Sequence, residues 1–185
     1  SEEEARSKNM EQPLITAVTH AAGEARVTLV GVPDTPGIAG RVTSALADAN
    51  VNIDMIIQNE PRAADQPAEM SFTVPRDDLL TARDALEPIA KELGIEVTTD
   101  ENIGKVSVVG AGMKTHPGVA ARVFSVLGDE GINIHMISTS PIRISCVIPK
   151  DRLEDAVRAL HSAFELEGED TIRPEQPFGE EVASS

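Results

Sequence analysis

The stretch Val27–Ile56, VTLVGVPDTPGIAGRVTSALADANVNIDMI, recurs from Val106 to Ile137 as VSVVGAGMKTHPGVAARVFSVLGDEGINIHMI, so the chain is a tandem repeat. Both copies have a strand ending in glycine (Gly31, Gly110), a Pro-Gly pair opening a helix (Pro36-Gly37, Pro117-Gly118), and an Asn-Ile pair beyond it (Asn52-Ile53, Asn133-Ile134). Gly110 follows Gly31 by 79 residues and Pro117 follows Pro36 by 81, which places a two-residue insertion in the second copy's loop. A period of this size sets the fold of the 185-residue chain as two units of roughly 75 residues each. Units this small bury a modest share of their surface, so a pseudo-dimer within the chain and a homodimer between chains are expected.

The spacing of apolar residues gives the element order. In copy one, Arg26–Val32 alternates as a half-buried strand, and Ile38, Ala39, Val42, Ala45, Leu46 and Ala49 fall on one helical face. Asn50 stops that helix. Val51–Gln58 reads as a strand, Asn59–Pro67 as a loop and Glu69–Val74 as a strand. Asp77 is positioned to cap a second helix with buried face Leu79, Leu80, Ala82, Ala85, Leu86, Ile89 and Leu93, and Pro88 predicts a kink or break near Leu86. Gly94 ends it, and Ile95–Thr99 is the fourth strand. Copy two repeats the pattern with strands at 106–111, 132–138 and 142–148, a helix from Gly118 to about Gly128, and a second helix burying Leu153, Ala156, Val157, Leu160 and Phe164.

The segment after that helix, EGEDTIRPEQ, is too polar for a fourth strand, whereas Leu14–Thr19 is an apolar strand with no place in copy one. It is expected to complete the sheet of copy two, making copy one an insertion within copy two. The fold class is therefore α+β: two ferredoxin-like βαββαβ units, each an antiparallel sheet with helices on one face. The expected boundaries are a disordered segment 1–12, the completing strand 13–20, a first unit 24–100, a second unit 104–166 and an acidic disordered tail 167–185.

Composition narrows the function. A net charge of −15, with four Phe and no Tyr or Trp, removes the basic patch and the stacking rings of nucleic-acid binding. No apolar run approaches a membrane span, no signal peptide is visible, and the lone Cys146 excludes an intrachain disulfide, so the chain reads as cytoplasmic. Catalytic and metal assignments are none: His20, His116, His135 and His161 lack ligand spacing, and Cys146 lies in an apolar strand. Gly110–Thr115 misses both the phosphate-loop and the dinucleotide glycine patterns, so no cofactor is expected.

What remains is the loop Asp34-Thr35-Pro36-Gly37-Ile38-Ala39. It leaves bare NH groups at a helix N-terminus, which favours a carboxylate, while Asp34 can meet an ammonium or hydroxyl group; an amino acid carries both. An ordinary tight turn with an aspartate cap is the alternative. Copy two has Thr115-His116 where copy one has Asp34-Thr35, so the two loops should differ in ligand preference, and His116 is equally read as a cap or surface residue. Asn52 and Asn133 offer amides at matching positions, either to a ligand or to backbone. Gln58, six residues past Asn52 on the same strand face, suits a small polar side chain.

Taken together, VGVPDTPGIAGRV…NVNIDMIIQN and KVSVVGAGMKTHPGVAARVF…GINIHMISTSPIRISCVI resemble the paired ACT domains of aspartate kinase, monofunctional type, over about residues 13 to 170. No part resembles the amino-acid kinase domain. In that family this region exists as the C-terminal half of a large subunit or as a separate small subunit with an internal start, with which Met10 is compatible. The resemblance implies feedback control by threonine, with or without lysine, of an aspartate kinase catalytic subunit. It also implies that copy one of one chain packs beside copy two of its partner in an eight-stranded sheet with amino acids at the interface. Carried over, Asp34, Pro36, Gly37, Ile38, Ala39 and Gln58 would hold threonine with Asn133 and Ile134 from the facing unit, and Met113, Thr115, Val119, Ala120, Asn52 and Ile53 would form the second site. Ala120 departs from a hydroxyl residue of some lysine-sensitive relatives. Rival readings are a stand-alone amino-acid sensor of another enzyme and an assembly module that senses nothing.

Overall fold

The computed structural model describes residues 14–61, 63, 65–111, 117–164 and 172–175. The chain divides into two compact units, one of residues 23–103 and one combining residues up to 22 with 104–175, so the first repeat is inserted within the second.

In the inserted unit the order is β2 (Glu24–Val30), α1 (Ile38–Asp48), β3 (Ile56–Asn59), β4 (Glu69–Pro75), α2 (Leu79–Leu93) and β5 (Glu96–Asp100). The strands form an antiparallel sheet in the order β3-β4-β2-β5. Alternation along β2 buries Ala25, Val27 and Leu29, and Val27 and Leu29 join a core with Val42 and Leu46 of α1, Met70 and Phe72 of β4, and Ala82 and Leu86 of α2. Asn50 at φ 58° ends α1, and Val51 NH reaches back to Leu46 O at 2.9 Å, a closure that satisfies the last turn's carbonyls.

The second unit contains β6 (Ile103–Ala111), α3 (Gly118–Asp129), β7 (Met136–Thr139), β8 (Arg143–Pro149) and α4 (Leu153–Ala163). As expected for an insertion, its sheet is completed by β1 (Leu14–Ala21), which runs antiparallel to β6 with Val18 opposite Val108. Its order, β7-β8-β6-β1-β9, where β9 is Ile172–Pro174, matches that of the first unit with β1 in the place of β5 and β9 added at the edge. Gly131 at φ 69° and the Ile132 NH to Leu127 O bond end α3 as Asn50 and Val51 end α1. The core gathers Val18, Val106, Val108, Val123, Leu127, Cys146, Ile148 and Leu160.

Six expectations are corrected. The α2 helix is not broken at Pro88 because the proline lies on the exposed face, where solvent reaches the carbonyl it leaves unpaired, while Ala82 and Leu86 hold the helix to the sheet. Leu80 is 69% exposed, one position off the stripe Leu79, Ala82, Leu86. Asp77 does not cap α2; it lies in a 3-10 turn, Arg76–Asp78, and the helix begins at Leu79 without a side-chain cap bond. Residues 51–55 are not strand: Asp54 NH donates to Thr73 O at 3.1 Å, Thr73 NH to Met55 O at 3.0 Å and Met55 NH to the buried Thr73 hydroxyl at 3.1 Å, so two residues face one and regular pairing begins only at Ile56. The same holds at 132–135, where His135 NH donates to Val147 O at 2.7 Å. Finally, within the segment 167–185 taken as a disordered tail, Ile172–Pro174 forms β9, parallel to β1. The expectation for 1–12 lies outside the described residues.

Candidate functional site

Each unit turns at its glycine. Gly31, at φ 83°, donates to Ala68 O at 3.0 Å and Val32 NH joins the same carbonyl at 3.1 Å, releasing the chain from β2 into the loop. Gly110 NH donates to Ile142 O at 2.9 Å at the equivalent point. In the first unit the chain then reaches Gly37, the N-cap of α1 at φ 93°, a left-handed conformation natural to glycine. Arg41 NH closes the first turn on Gly37 O at 3.0 Å, so the NH groups of Ile38, Ala39 and Gly40 have no intrahelical partner. Asp34, Pro36 and Gly37 are exposed. Asp34 does not act as a cap: it makes no side-chain hydrogen bond or ion pair among the described residues, and its carboxylate stays available.

Ile38 and Val119, the matching first-turn residues of α1 and α3, are only 6% and 5% exposed. Their side chains belong to the two cores, so what they can present to a ligand is backbone NH. Ala39 and Ala120, the next residues, are half-buried. Met113 and Thr115 lie outside the described residues.

Topology fixes which candidates come together. Both β2 and β3 pair antiparallel with β4, so they run parallel and finish at the same end of the sheet. Gln58, exposed and opposite Met70 near the end of β3, therefore lies at the end from which the Asp34 loop rises. Asn52 and Ile53 lie at the other end, beside the Thr73 anchor whose register partner is Arg26 at the start of β2. Asn52 is thus neither on β3 nor on the Gln58 face, contrary to the period-two reading, because the Thr73 bonds hold it before the strand begins. The same argument separates Asn133 and Ile134 from the start of α3 in the second unit. Asn52, Gln58 and Asn133 are exposed, with no side-chain partner among the described residues, while Ile53 and Ile134 pack half-buried on their cores.

Two residues escaped the sequence reading. Ile56 and Ile137 are the same position of the two copies, on the edge strands β3 and β7, and they are 47% and 42% exposed. The repeated Met-Ile dipeptide was the available signal, but only the strand order identifies it as an edge. Two surface grooves of about 590 and 470 Å³ lie instead on the second unit, one beside Asp129, Asp155 and Arg158 and one beside His20, Leu153 and Val157. Neither touches Asp34 or Gln58, because an edge that faces open solvent encloses nothing.

Burial pushes the Cys146 thiol up to about 12, so it stays protonated at neutral pH and is no nucleophile. Among the described residues no group of three or more His, Cys, Asp or Glu could hold a metal, and no helix is long and apolar enough to cross a membrane.

Comparison with known proteins agrees with this fold. ACT-domain models match residues 26–94 and 106–164. An aspartate kinase of Stutzerimonas stutzeri is 50% identical over 161 residues, 86% of this chain and 39% of that protein, so the chain spans about two fifths of its length. The regulatory subunit of aspartate kinase from Thermus thermophilus is 42% identical, with a TM-score of 0.77, covering 82% of this chain and 99% of that one. The aspartate kinase of Synechocystis is 43% identical, with a TM-score of 0.78, covering 83% of this chain and 27% of that one.

Proposed function

Because the chain belongs to the aspartate kinase family as its tandem ACT regulatory portion, we propose that it senses L-threonine, with or without L-lysine, and relays feedback inhibition to an aspartate kinase catalytic subunit. The working form is a homodimer in the cytoplasm, stabilised by the effector.

One observation carries this reading: in each repeat the strand that leads into the helix-opening loop finishes at one end of the sheet and the Asn-Ile segment lies at the other. No single unit can close both around one ligand. A second chain, turned so that its Asn133 and Ile134 face Asp34, Gly37, Ala39 and Gln58, makes a complete site. By the same symmetry Asn52 and Ile53 complete a site with Met113, Thr115, Val119 and Ala120. The exposed Ile56 and Ile137 support pairing through the edge strands, since an apolar edge left open invites a strand from another chain.

The chemistry then follows from the groups available. The α-carboxylate accepts from the unpaired NH groups of Ile38 and Ala39 and is favoured by the helix dipole. Asp34 receives the ammonium or the hydroxyl group, and the Gln58 amide reads the short polar side chain. A ligand touching both chains binds the dimer better than the monomer, and linkage makes it drive association. A micromolar to millimolar effector needs about −8 to −4 kcal/mol, which a few charge-assisted hydrogen bonds supply.

The test is sedimentation velocity and calorimetry on the full chain. L-Threonine should bind saturably and shift the chain toward dimer, and Asp34→Ala should weaken binding by at least about tenfold without altering the thermal melt. A folded chain that ignores both threonine and lysine would favour an assembly module over a sensor.

A further inference from the structure

The two repeats place a cation at the same point of their sheets and neutralise it differently. In the first unit Arg26 lies opposite Asp100 in the β2–β5 register and pairs with it at 3.5 Å. The repeat offset puts Lys105 at that point of β6, but the residue opposite it on β1 is Ala21. Lys105 is only 4% exposed, and a buried ammonium without a counter-charge is costly.

The counter-charge comes from beyond α4. One Glu175 carboxylate oxygen lies 2.5 Å from Lys105 Nζ. The other accepts from Thr19 Oγ1 at 2.9 Å, Ser107 Oγ at 3.1 Å and Arg143 Nη1 at 3.2 Å. Ser107 is tied in turn to Ser145 at 2.7 Å, both buried. The equivalent hydroxyl pair of the first unit, Thr28 and Ser71 at 3.0 Å, holds no such carboxylate among the described residues. Lys105 and Ser107 alternate with the core residues Val106 and Val108, so the recess opens on the sheet face away from the helices.

We propose that this recess is a carboxylate-binding site whose resident ligand is the chain's own Glu175, and that residues 172–175 are a latch held in place by that carboxylate. Its strand is three residues long, pairs in parallel with β1, and includes Pro174, which has no NH to give. Beside that ladder, Glu175 NH donates to His20 O at 2.7 Å. Against these stand two cations and two hydroxyls converging on one carboxylate, the stronger class of bond. The spacing, one oxygen against the lysine and the other shared by arginine and hydroxyls, selects a carboxylate as the ligand class.

The test uses the full chain with Glu175→Ala, comparing sodium acetate with sodium chloride at equal ionic strength. In chloride the variant should melt lower than wild type, and amides 172–175 should lose at least about tenfold in hydrogen-exchange protection. Acetate should restore the melting temperature in a saturable way while leaving wild type unmoved. The double variant Lys105→Met/Glu175→Ala should regain stability in chloride and lose the acetate response. If the single variant does not fold in chloride, its refolding yield in acetate becomes the readout. Equal behaviour in the two salts, or amides that stay protected without the carboxylate, overturns the proposal.

Discussion

At Gly104 a Cβ would lie 3.0 Å from Leu153 Cδ2 and 3.3 Å from Leu153 Cβ, so the absence of a side chain there lets α4 settle on the start of β6. Leu153 is itself 7% exposed and cannot swing into solvent. Gly104→Ala is expected to cost about 1–3 kcal/mol in urea denaturation, and an unchanged midpoint would mean that the helix backs away freely. Cys146 gives a second residue-scale prediction. Its raised pKa keeps the folded thiol neutral, so iodoacetamide at pH 8 should leave native protein unmodified over a period that fully labels the urea-unfolded chain. The sign for stability follows: the unfolded thiol ionises near 9 and the folded one near 12, so this contribution is intact below pH 9 and fades as the pH rises between those values. Labelling of the native protein at the unfolded rate would contradict both statements. Asp34 differs from these core residues in being exposed, and its loss should register in ligand affinity rather than in the melt.

At the scale of elements, β3 and β7 matter most, because each is an edge of four residues with an exposed isoleucine. Ile56→Lys places a charge on one edge and should move the threonine-bound chain toward monomer in sedimentation velocity; an unaltered dimer would put the interface elsewhere. The repeat made most elements legible, since helices α1 and α3 and strands β2, β4, β6 and β8 carry clean apolar periods. It also made the role of Leu14–Ala21 legible, because one copy had a strand too many and the other a strand too few. What periodicity could not supply was the behaviour of residues 51–55 and 132–135. Their β-branched composition reads as strand, but the Thr73 hydroxyl and the Thr73 and Val147 carbonyls take their NH groups out of the ladder. β9 was hidden because its segment is short and polar. The signal lay in a comparison across copies, Lys105 facing Ala21 where Arg26 faces Asp100. In the candidate site the loop was legible by motif, whereas the separation of Asn52 from Gln58 appears only with the strand order.

At the scale of the whole molecule, one repeat is inserted into the other, and the two sheets share a strand order apart from the added edge strand β9. On the proposed reading each chain offers half-sites that a second chain completes, which makes the homodimer the binding form. That arrangement can be tested by complementation. Asp34→Ala and Asn133→Ala chains, each nearly silent alone, would be mixed in equal amounts and titrated calorimetrically with L-threonine. If the site is shared between chains, half of the dimers that form are mixed and each of these carries one intact site, so binding should return at wild-type affinity with about one threonine per four chains. A mixture as silent as its two components would contradict a site built from two chains.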